Sequence, residues 1–254
     1  MTEHVAITDD GATRVIAMRR PEKKNALTPL MYRTIGDAID GAQDDPAIRC
    51  LVITGSGGIF TAGNDLTEFL DLSTAASDVS LSSAGAGPLF DALLNNTKPL
   101  VAAVEGIAIG IGATLMFHCD YVVASKTARF STPFVGLGLV PEAASSLLAP
   151  HLLGHQRAFA MLVMGRAMTA DDAHKAGFVN QIVAEGDAEQ EARKVAREIC
   201  ALPAEAVAIS RRLLRLPTEE IGKRLELEGK LFGERIKSDE AVAAFKAFMN
   251  RKKA

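Results

Sequence analysis

The sequence predicts an α/β protein whose C-terminal part is helical. Short runs rich in valine, leucine and isoleucine, at residues 50–54, 100–104 and 121–124, have the composition of strands that are buried on both faces. Stretches with a helical pattern separate these runs, and the C-terminal part is almost entirely helical in pattern. We therefore expect a core over residues 1–186 and a helical region over residues 187–254.

Turn and capping residues predict the individual elements. Residues 4–7 and 13–18 are β-like and flank Asp9-Asp10-Gly11, a turn sequence that favours positive φ, so we expect a hairpin. Thr28-Pro29 predicts the start of a helix, because threonine caps free N–H groups and proline is tolerated in the first turn. Residues 72–87, dense in serine, alanine and glycine, predict a loop beside a pocket. The helices expected in the C-terminal region cover residues 187–201, 203–216, 218–232 and 239–250.

Composition and charge argue against several classes of protein. The chain has 254 residues, of which 48% are hydrophobic and 23% charged, as in a folded globular protein rather than a disordered one. A net charge of -3, with lysine and arginine scattered along the chain, argues against nucleic acid as a partner. No apolar run approaches the ~20 residues of a membrane span, and the sequence opens without a basic and apolar leader, so we expect a cytoplasmic protein. The three cysteines lie far apart without metal-ligand spacing, and we expect them to be reduced.

Two glycine-rich segments are candidates for binding an anion. The first elbow is Phe-Thr-Ala-Gly-Asn-Asp-Leu at residues 60–66, and the second elbow is Gly-Ile-Ala-Ile-Gly-Ile-Gly-Ala-Thr-Leu at residues 106–115; each follows a β-like run and is expected to open into a helix. Such turns leave backbone N–H groups free, and two aimed at one oxygen stabilise negative charge by roughly 2.7–4 kcal/mol per donor. The residues alone leave alternatives open: a capped helix start for the first elbow, and close helix packing through Gly110 and Gly112 for the second.

Glu142 is the candidate base. It lies in Leu-Val-Pro-Glu-Ala-Ala at residues 139–144, among apolar and small residues that raise the pKa of a carboxyl group toward useful base strength. Proline followed by glutamate is also a common helix start, which the helix dipole favours. From the residues alone, the two interpretations are about even.

Further blocks of sequence, taken together with the elbows, resemble the crotonase superfamily of enoyl-CoA hydratases and isomerases over nearly the whole chain. These blocks are Arg-Pro-Glu-Lys-Lys-Asn-Ala-Leu at residues 20–27, Lys-Pro-Leu-Val-Ala-Ala-Val at residues 98–104 and Cys-Asp-Tyr-Val-Val-Ala-Ser at residues 119–125. The resemblance implies a spiral of repeated ββα units followed by a helical region that helps to build a homotrimer, usually paired into a hexamer. Val242, Phe245 and Met249 share one helical face, as such an interface or a pocket lid would require.

The resemblance also implies an acyl-CoA thioester as the substrate and assigns site residues. The backbone N–H groups of Asn64 and Ile111 match the two oxyanion donors of the family. The residues that match its coenzyme A contacts are Lys24, Ala26, Ala62, Gly63, Asn64, Asp65 and Leu66.

The carboxylates distinguish the reactions of the family. Hydratases carry one glutamate where this chain has Thr114 and another where it has Phe134. Glu142 instead matches the base of the peroxisomal-type Δ3,Δ2-enoyl-CoA isomerases, whose Pro-Glu-x-x-Ser-Ser segment is similar to residues 141–146. The resemblance therefore implies an isomerase that moves a 3-enoyl-CoA double bond to the 2-position, with Glu142 as the single proton carrier and no metal or redox cofactor. Hydration, another crotonase-type reaction and a non-catalytic acyl-CoA binding subunit are the alternatives.

Overall fold

Two sheets form the centre of the fold. The computed structural model describes residues 2–65 and 85–251, with side chains through residue 248. The strands are β1 (Val5–Asp10), β2 (Thr13–Met18), β3 (Cys50–Gly55), β4 (Leu100–Val104), β5 (Ile107–Ile109), β6 (Tyr121–Ser125), β7 (Arg129–Ser131), β8 (Met168–Thr169) and β9 (Gln181–Val183). The larger sheet has the order β1-β2-β3-β4-β6-β9, and only its β1–β2 pair is antiparallel. The smaller sheet has the order β5-β7-β8.

Helices surround the two sheets. Within the described ranges they are α1 (Pro29–Gln43), α2 (Gly87–Asn95), α3 (Ile111–Thr114), α4 (Ser145–Leu153), α5 (His155–Leu162), α6 (Ala170–Lys175), α7 (Ala188–Ala201), α8 (Ala204–Leu214), α9 (Thr218–Ile236) and α10 (Asp239–Arg251). Short 3₁₀ turns cover Pro21–Lys23, Leu115–His118 and Val135–Leu137. No helix in these ranges is both long enough and apolar enough to cross a membrane.

Most of the elements expected from the sequence are present. The N-terminal hairpin is confirmed: Asp10 pairs with Thr13, and Gly11 between them has a φ of 59°. α1 begins as expected, since Thr28 Oγ1 accepts a hydrogen bond from Met31 N–H at 3.3 Å. The four C-terminal helices are confirmed with shifted ends. The loop expected over residues 72–87 lies almost entirely outside the described residues.

The larger sheet is covered on both faces, which explains why its strands read as continuous apolar runs. On one face, Ala192 and Val195 of α7 pack in a cluster with Val52 of β3. Leu51 and Ile53 alternate to the opposite face and join the main hydrophobic cluster with residues of α1 and α2. α7 thus shares a core with the sheet, and the division of the chain at residue 187 stays a prediction.

α10 packs onto its own chain. Phe245 is 1% exposed, and a Cβ placed on Gly138 would lie 2.7 Å from the Ala241 nitrogen. The apolar face expected from Val242, Phe245 and Met249 is therefore partly used within the chain, while the side chain of Met249 lies outside the description. The trimer stays a prediction that this helix does not support.

Candidate active site

The second elbow joins β5 to α3 through Gly110. Gly110 has φ 58° and ψ -121°, a conformation that residues with a Cβ avoid. A Cβ on Gly112 would lie 2.5 Å from Thr61 Cγ2 of the first elbow. Close packing, one of the alternatives left open by the sequence, is thus present at Gly112, where it brings α3 against the first elbow, whereas a Cβ on Gly110 would lie 4.0 Å from its nearest neighbour, Phe134.

The first elbow lies directly beside the second. Thr61 N–H donates to Ile107 O at 3.0 Å, and Ile109 N–H donates back to Thr61 O at 3.0 Å. At Gly63, φ is 87° and a Cβ would lie 2.7 Å from Ile109 O, so glycine is required there for conformation and for space. The helix expected after this elbow, with Leu66, lies outside the described residues.

The two N–H groups that the resemblance assigns as oxyanion donors have no partner within residues 2–65 and 85–251. Neither Asn64 N–H nor Ile111 N–H donates a hydrogen bond to another described group. The preceding N–H groups do: Gly63 donates to Thr61 Oγ1 at 3.0 Å, and Gly110 donates to Ser131 O at 2.9 Å. Ile111 is fully buried, so solvent does not replace the missing partner of its N–H. A ligand oxygen would supply that hydrogen bond.

Residues 20–27 hold the first elbow in place. Asn25 is fully buried with a φ of 53°, and its Nδ2 donates to Ile59 O at 2.7 Å. Ala62 N–H donates to Lys24 O at 2.9 Å. The residues expected to contact coenzyme A from these two separate segments, including Lys24 and Ala26, are therefore neighbours in the structure.

Two side chains orient the end of the first elbow. Tyr32, which is 1% exposed, donates its hydroxyl to Asn64 Oδ1 at 2.5 Å. Arg20 Nη1 lies 2.8 Å from Asp65 Oδ2 in an ion pair. Asp65 thus has a structural partner in addition to the ligand contact expected of it.

A cavity of about 660 Å³ adjoins both elbows. All the described residues that were expected to contact coenzyme A line it: Lys24, Ala26, Ala62, Gly63, Asn64 and Asp65. Further charged lining comes from Arg20, Glu22 and Lys23, and apolar lining comes from Phe134, Leu137, Leu139, Phe232 and Phe248. Gly110 lines the cavity, and neither Ile111 nor Glu142 is among its described lining residues. A charged rim and an apolar pocket suit a ligand with a polar head and an apolar tail.

Glu142 is buried next to the second elbow. Glu142 is 1% exposed, and its Oε1 accepts a hydrogen bond from Thr114 Oγ1 at 2.7 Å. Thr114 ends α3, which begins at Ile111, so this hydrogen bond joins the carboxyl group to the short helix that carries the Ile111 N–H. Oε2 has no hydrogen-bond partner among the described residues. The structure therefore brings the candidate base and the second elbow together.

Burial raises the pKa of Glu142 to about 8. The Thr114 hydrogen bond opposes this rise because it favours the ionised carboxylate, and the nearby negative charge of Glu228 adds to it. A carboxyl group with such a pKa can both accept and return a proton near neutral pH.

The turn after Glu142 is not helical. Ala143 and Ala144 have φ values of 58° and 55°, in the left-handed region that L-residues rarely adopt. α4 begins only at Ser145, whose hydroxyl donates to Glu142 O at 2.6 Å. The interpretation of Glu142 as part of a first helical turn is wrong, because this left-handed pair separates it from α4.

His118 supports the same turn. Its ring is buried, and Nε2 lies 2.7 Å from Ala143 O. Burial lowers the pKa of His118 to about 4, so the ring is neutral near pH 7, and Nε2 carries the hydrogen because a carbonyl oxygen can only accept. The sequence gives no signal of this contact between His118 and the turn.

Sequence reasoning also missed Asn25, Tyr32 and the contact of Thr114 with Glu142. Asn25 lies in a block that was recognised, but its side-chain bonds have no signature in sequence. Within the described ranges, no group of three or more histidine, cysteine, aspartate or glutamate side chains is placed to hold a metal ion.

The fold and the sequence place this chain in a known family. Residues 9–254 match the family model described as enoyl-CoA hydratase/isomerase, and the chain belongs to that family. Its fold is the crotonase fold, as expected.

Individual relatives are similar over almost the whole chain. Enoyl-CoA delta isomerase 2 of Rattus norvegicus is 36% identical over 254 residues, which cover 98% of this chain and 64% of that protein. The 1,2-epoxyphenylacetyl-CoA isomerase of Escherichia coli (strain K12) is 30% identical over 253 residues, which cover 97% of each chain. The solved structure of Pseudomonas aeruginosa OdaA has a TM-score of 0.92 and 38% identity, covering 98% of this chain and 100% of that one. The chain thus spans less than two thirds of the length of the rat relative.

Proposed function

We propose that this protein is an acyl-CoA double-bond isomerase that converts a 3-enoyl-CoA into the 2-enoyl-CoA. Ionised Glu142 takes a proton from the carbon beside the thioester carbonyl, and the electron pair of that C–H bond moves into a dienolate. The same carboxyl group then returns the proton two carbons further along, which leaves the double bond conjugated with the carbonyl. The shuttle is redox-neutral, and one base with two oxyanion donors supplies each of its steps, so we propose neither a redox cofactor nor a metal.

The observation that carries the proposal is that, of the buried glutamates in the described ranges, Glu142 is the one whose carboxyl group is hydrogen-bonded to an elbow, through Thr114. The other buried glutamates of the described ranges are engaged elsewhere: Glu105 accepts from the N–H groups of Gly186 and Ala188, and Glu228 accepts from Ser146 N–H. One carboxyl group is enough for a proton shuttle, whereas hydration also needs a group to position water. The resemblance places hydratase glutamates at Thr114 and Phe134, and neither of these side chains is a base.

The elbows supply the proposed oxyanion hole. Asn64 N–H and Ile111 N–H lack partners within the described ranges, and the elbows that carry them are held together by hydrogen bonds and by close glycine contacts. A thioester oxygen between the two donors would be stabilised most when it becomes the dienolate oxygen, by roughly 2.7–4 kcal/mol per donor.

The cavity supports a thioester substrate rather than a free acid. The six described residues of the proposed coenzyme A site line it together, so much of the binding energy should come from the coenzyme. We propose Lys24 as a partner of its phosphate groups, because this lysine lines the cavity and its backbone is hydrogen-bonded to the first elbow.

Assembly and location complete the proposal. We propose a homotrimer or hexamer in the cytoplasm. Leucines on and near α8 support the assembly, since Leu213 and Leu214 are 77% and 85% exposed and Leu202 is 53% exposed, and exposed apolar surface of this kind marks protein interfaces.

The decisive experiment offers the purified protein a 3-enoyl-CoA and a 2-enoyl-CoA in separate reactions. Conjugation of the 3-enoyl substrate is the expected result, and Glu142→Gln should slow it by at least ~10² while thioester affinity changes little. Glu226→Gln, at an exposed position on α9, is the matched control and should leave the rate unchanged. Hydrated product without isomerisation would assign the chain to the hydratases, and thioester binding without any turnover would identify a binding subunit.

A further inference from the structure

We propose that Glu228 on α9 is a positioning residue for Glu142. Glu228 fixes the end of the left-handed turn that presents the Glu142 carboxyl group, and the negative charge of its ionised carboxylate acts on that group. The inference rests on the proposed function, in which Glu142 carries the proton.

The turn needs outside support. Ala143 and Ala144, both with positive φ, link Glu142 to α4. Alanine disfavours this conformation, because its Cβ approaches the following carbonyl oxygen. Such a turn persists only where surrounding contacts determine it. The contacts that hold it therefore also decide where the Glu142 carboxyl group points.

α9 holds the turn from its far end. Glu228 is 4% exposed, and its Oε1 accepts a hydrogen bond from Ser146 N–H at 2.9 Å. One turn earlier on α9, Arg224 Nη1 donates to Ser146 Oγ at 2.9 Å. Both contacts fall on the residue that directly follows the first residue of α4. A shift of α9 or loss of the Glu228 acceptor would release the turn on this side, leaving His118 as the support on the other.

Glu228 is placed to act on charge as well as on geometry. Its Oε2 is buried without a partner among the described residues. Burial raises the pKa of Glu228, while the hydrogen bond from Ser146 and the positive charge of Arg224 favour its ionised form, which places a negative charge near Glu142. Among the described residues, the charged or titratable groups that contact the turn or Ser146 from neighbouring elements are Glu228 and Arg224 on α9, and His118 on the 3₁₀ turn. Of these, Glu228 is the group whose charge raises the pKa of Glu142. A helix cap with a purely structural role would have no such effect on the base.

Two substitutions separate the roles of Glu228. Glu228→Gln keeps an oxygen that accepts from Ser146 N–H and removes the charge, whereas Glu228→Ala removes both. Glu226→Ala is the matched control, because Glu226 is exposed on the same helix. The measurements are kcat, KM and the pH dependence of kcat for isomerisation of a 3-enoyl-CoA.

In Glu228→Ala, kcat should fall by about tenfold to a hundredfold with KM close to that of the wild type, because a misplaced base slows the reaction without removing substrate contacts. Glu228→Gln should recover most of kcat, and the midpoint of its pH profile should move to lower pH. Glu226→Ala should match the wild type in all three measurements.

A folded Glu228→Ala with unchanged kcat and unchanged pH midpoint would overturn the inference. If Glu228→Ala does not fold, Glu228→Gln decides: a lower midpoint supports the inference, and an unchanged midpoint overturns it. Failure of the proposed function looks different, because Glu142→Gln would then isomerise normally or the wild type would not turn over.

If the proposed function fails, the effect of Glu228 on the pKa of Glu142 is still measurable from protein stability, without turnover. The pH-dependent difference in unfolding free energy between the wild type and Glu142→Gln should shift to lower pH when both proteins carry Glu228→Gln. An unchanged difference would overturn the inference by a route that does not depend on activity.

Discussion

Replacing Glu142 with glutamine should stabilise the fold progressively as the pH rises, although it removes the proposed base. Burial raises the pKa of the folded carboxyl group to about 8, against an ordinary value of 4.5. Below the lower value, the carboxyl group is protonated in both states. Between the two values, unfolding releases a proton, so rising pH favours the unfolded chain. Above the higher value, both states are ionised and the loss of stability is complete.

The expected effect is large. Each pH unit between the two pKa values removes about 1.4 kcal/mol from the unfolding free energy of the wild type, and glutamine escapes this loss. Between about pH 5 and pH 8, the difference between the two proteins should therefore change by about 4 kcal/mol in favour of the variant. This is a substantial part of the roughly 5–15 kcal/mol that stabilises a typical protein.

Urea unfolding at several pH values measures the difference directly. The wild type, Glu142→Gln and the control Glu226→Gln should be unfolded in parallel, with the slope against urea checked for each. Every other titrating group is common to the three proteins and cancels in the differences. Glu226 is exposed, so its replacement should give a difference that does not vary with pH.

Parallel stability curves for the wild type and Glu142→Gln would refute the reasoning. They would show that the Glu142 carboxyl group ionises as readily in the folded protein as in the unfolded chain. Burial would then not be the source of its base strength, and the assignment of Glu142 as a poised base would lose its physical support.

Four further predictions concern the site and the assembly. Isomerisation should increase with pH and level off above about 8, because only ionised Glu142 accepts a proton; a flat kcat profile would contradict this. Thr114→Ala should lower kcat by ~tenfold at neutral pH and recover at higher pH, since loss of the hydrogen bond raises the pKa of Glu142 further; an equal defect at every pH would point to another role. Gly63→Ala should weaken thioester binding in calorimetry, because its Cβ would lie 2.7 Å from Ile109 O; unchanged affinity would mean that the elbow adapts. Leu214→Asp, at a position that is 85% exposed, should lower the mass found by light scattering; an unchanged mass would place the interface elsewhere.

The sequence predicts those elements that are determined by the types of neighbouring residues along the chain. β4 covers residues 100–104 as expected, because its apolar run is buried on both faces of the sheet. The elbows are predictable for a similar reason: positive φ at Gly63 and Gly110, and close backbone approach at Gly63, require glycine, and glycine is visible in a sequence.

The geometry around Glu142 is not predictable in this way. Alanines at 143 and 144 give no signal of a left-handed turn. Thr114 and Glu142 are 28 residues apart in sequence, and Ser146 and Glu228 are 82 residues apart. Contacts of this kind depend on how distant elements pack, and residue type at one position does not encode them. The interpretation of Pro141-Glu142 as a helix start failed for this reason.

The same desolvation both destabilises this site and gives it base strength. Glu142 Oε2 and Ile111 N–H are buried without partners in the described ranges, and unpartnered buried polar groups cost stability. A group that takes a proton from carbon and returns it to carbon works best when its pKa lies near the pH of the reaction. Burial brings the pKa of Glu142 into the neutral range. A change that hydrates Glu142 would therefore stabilise the fold at high pH and weaken the base together. Burial is the largest cause of both effects at this position, so stability gained by hydrating Glu142 comes at the expense of its base strength.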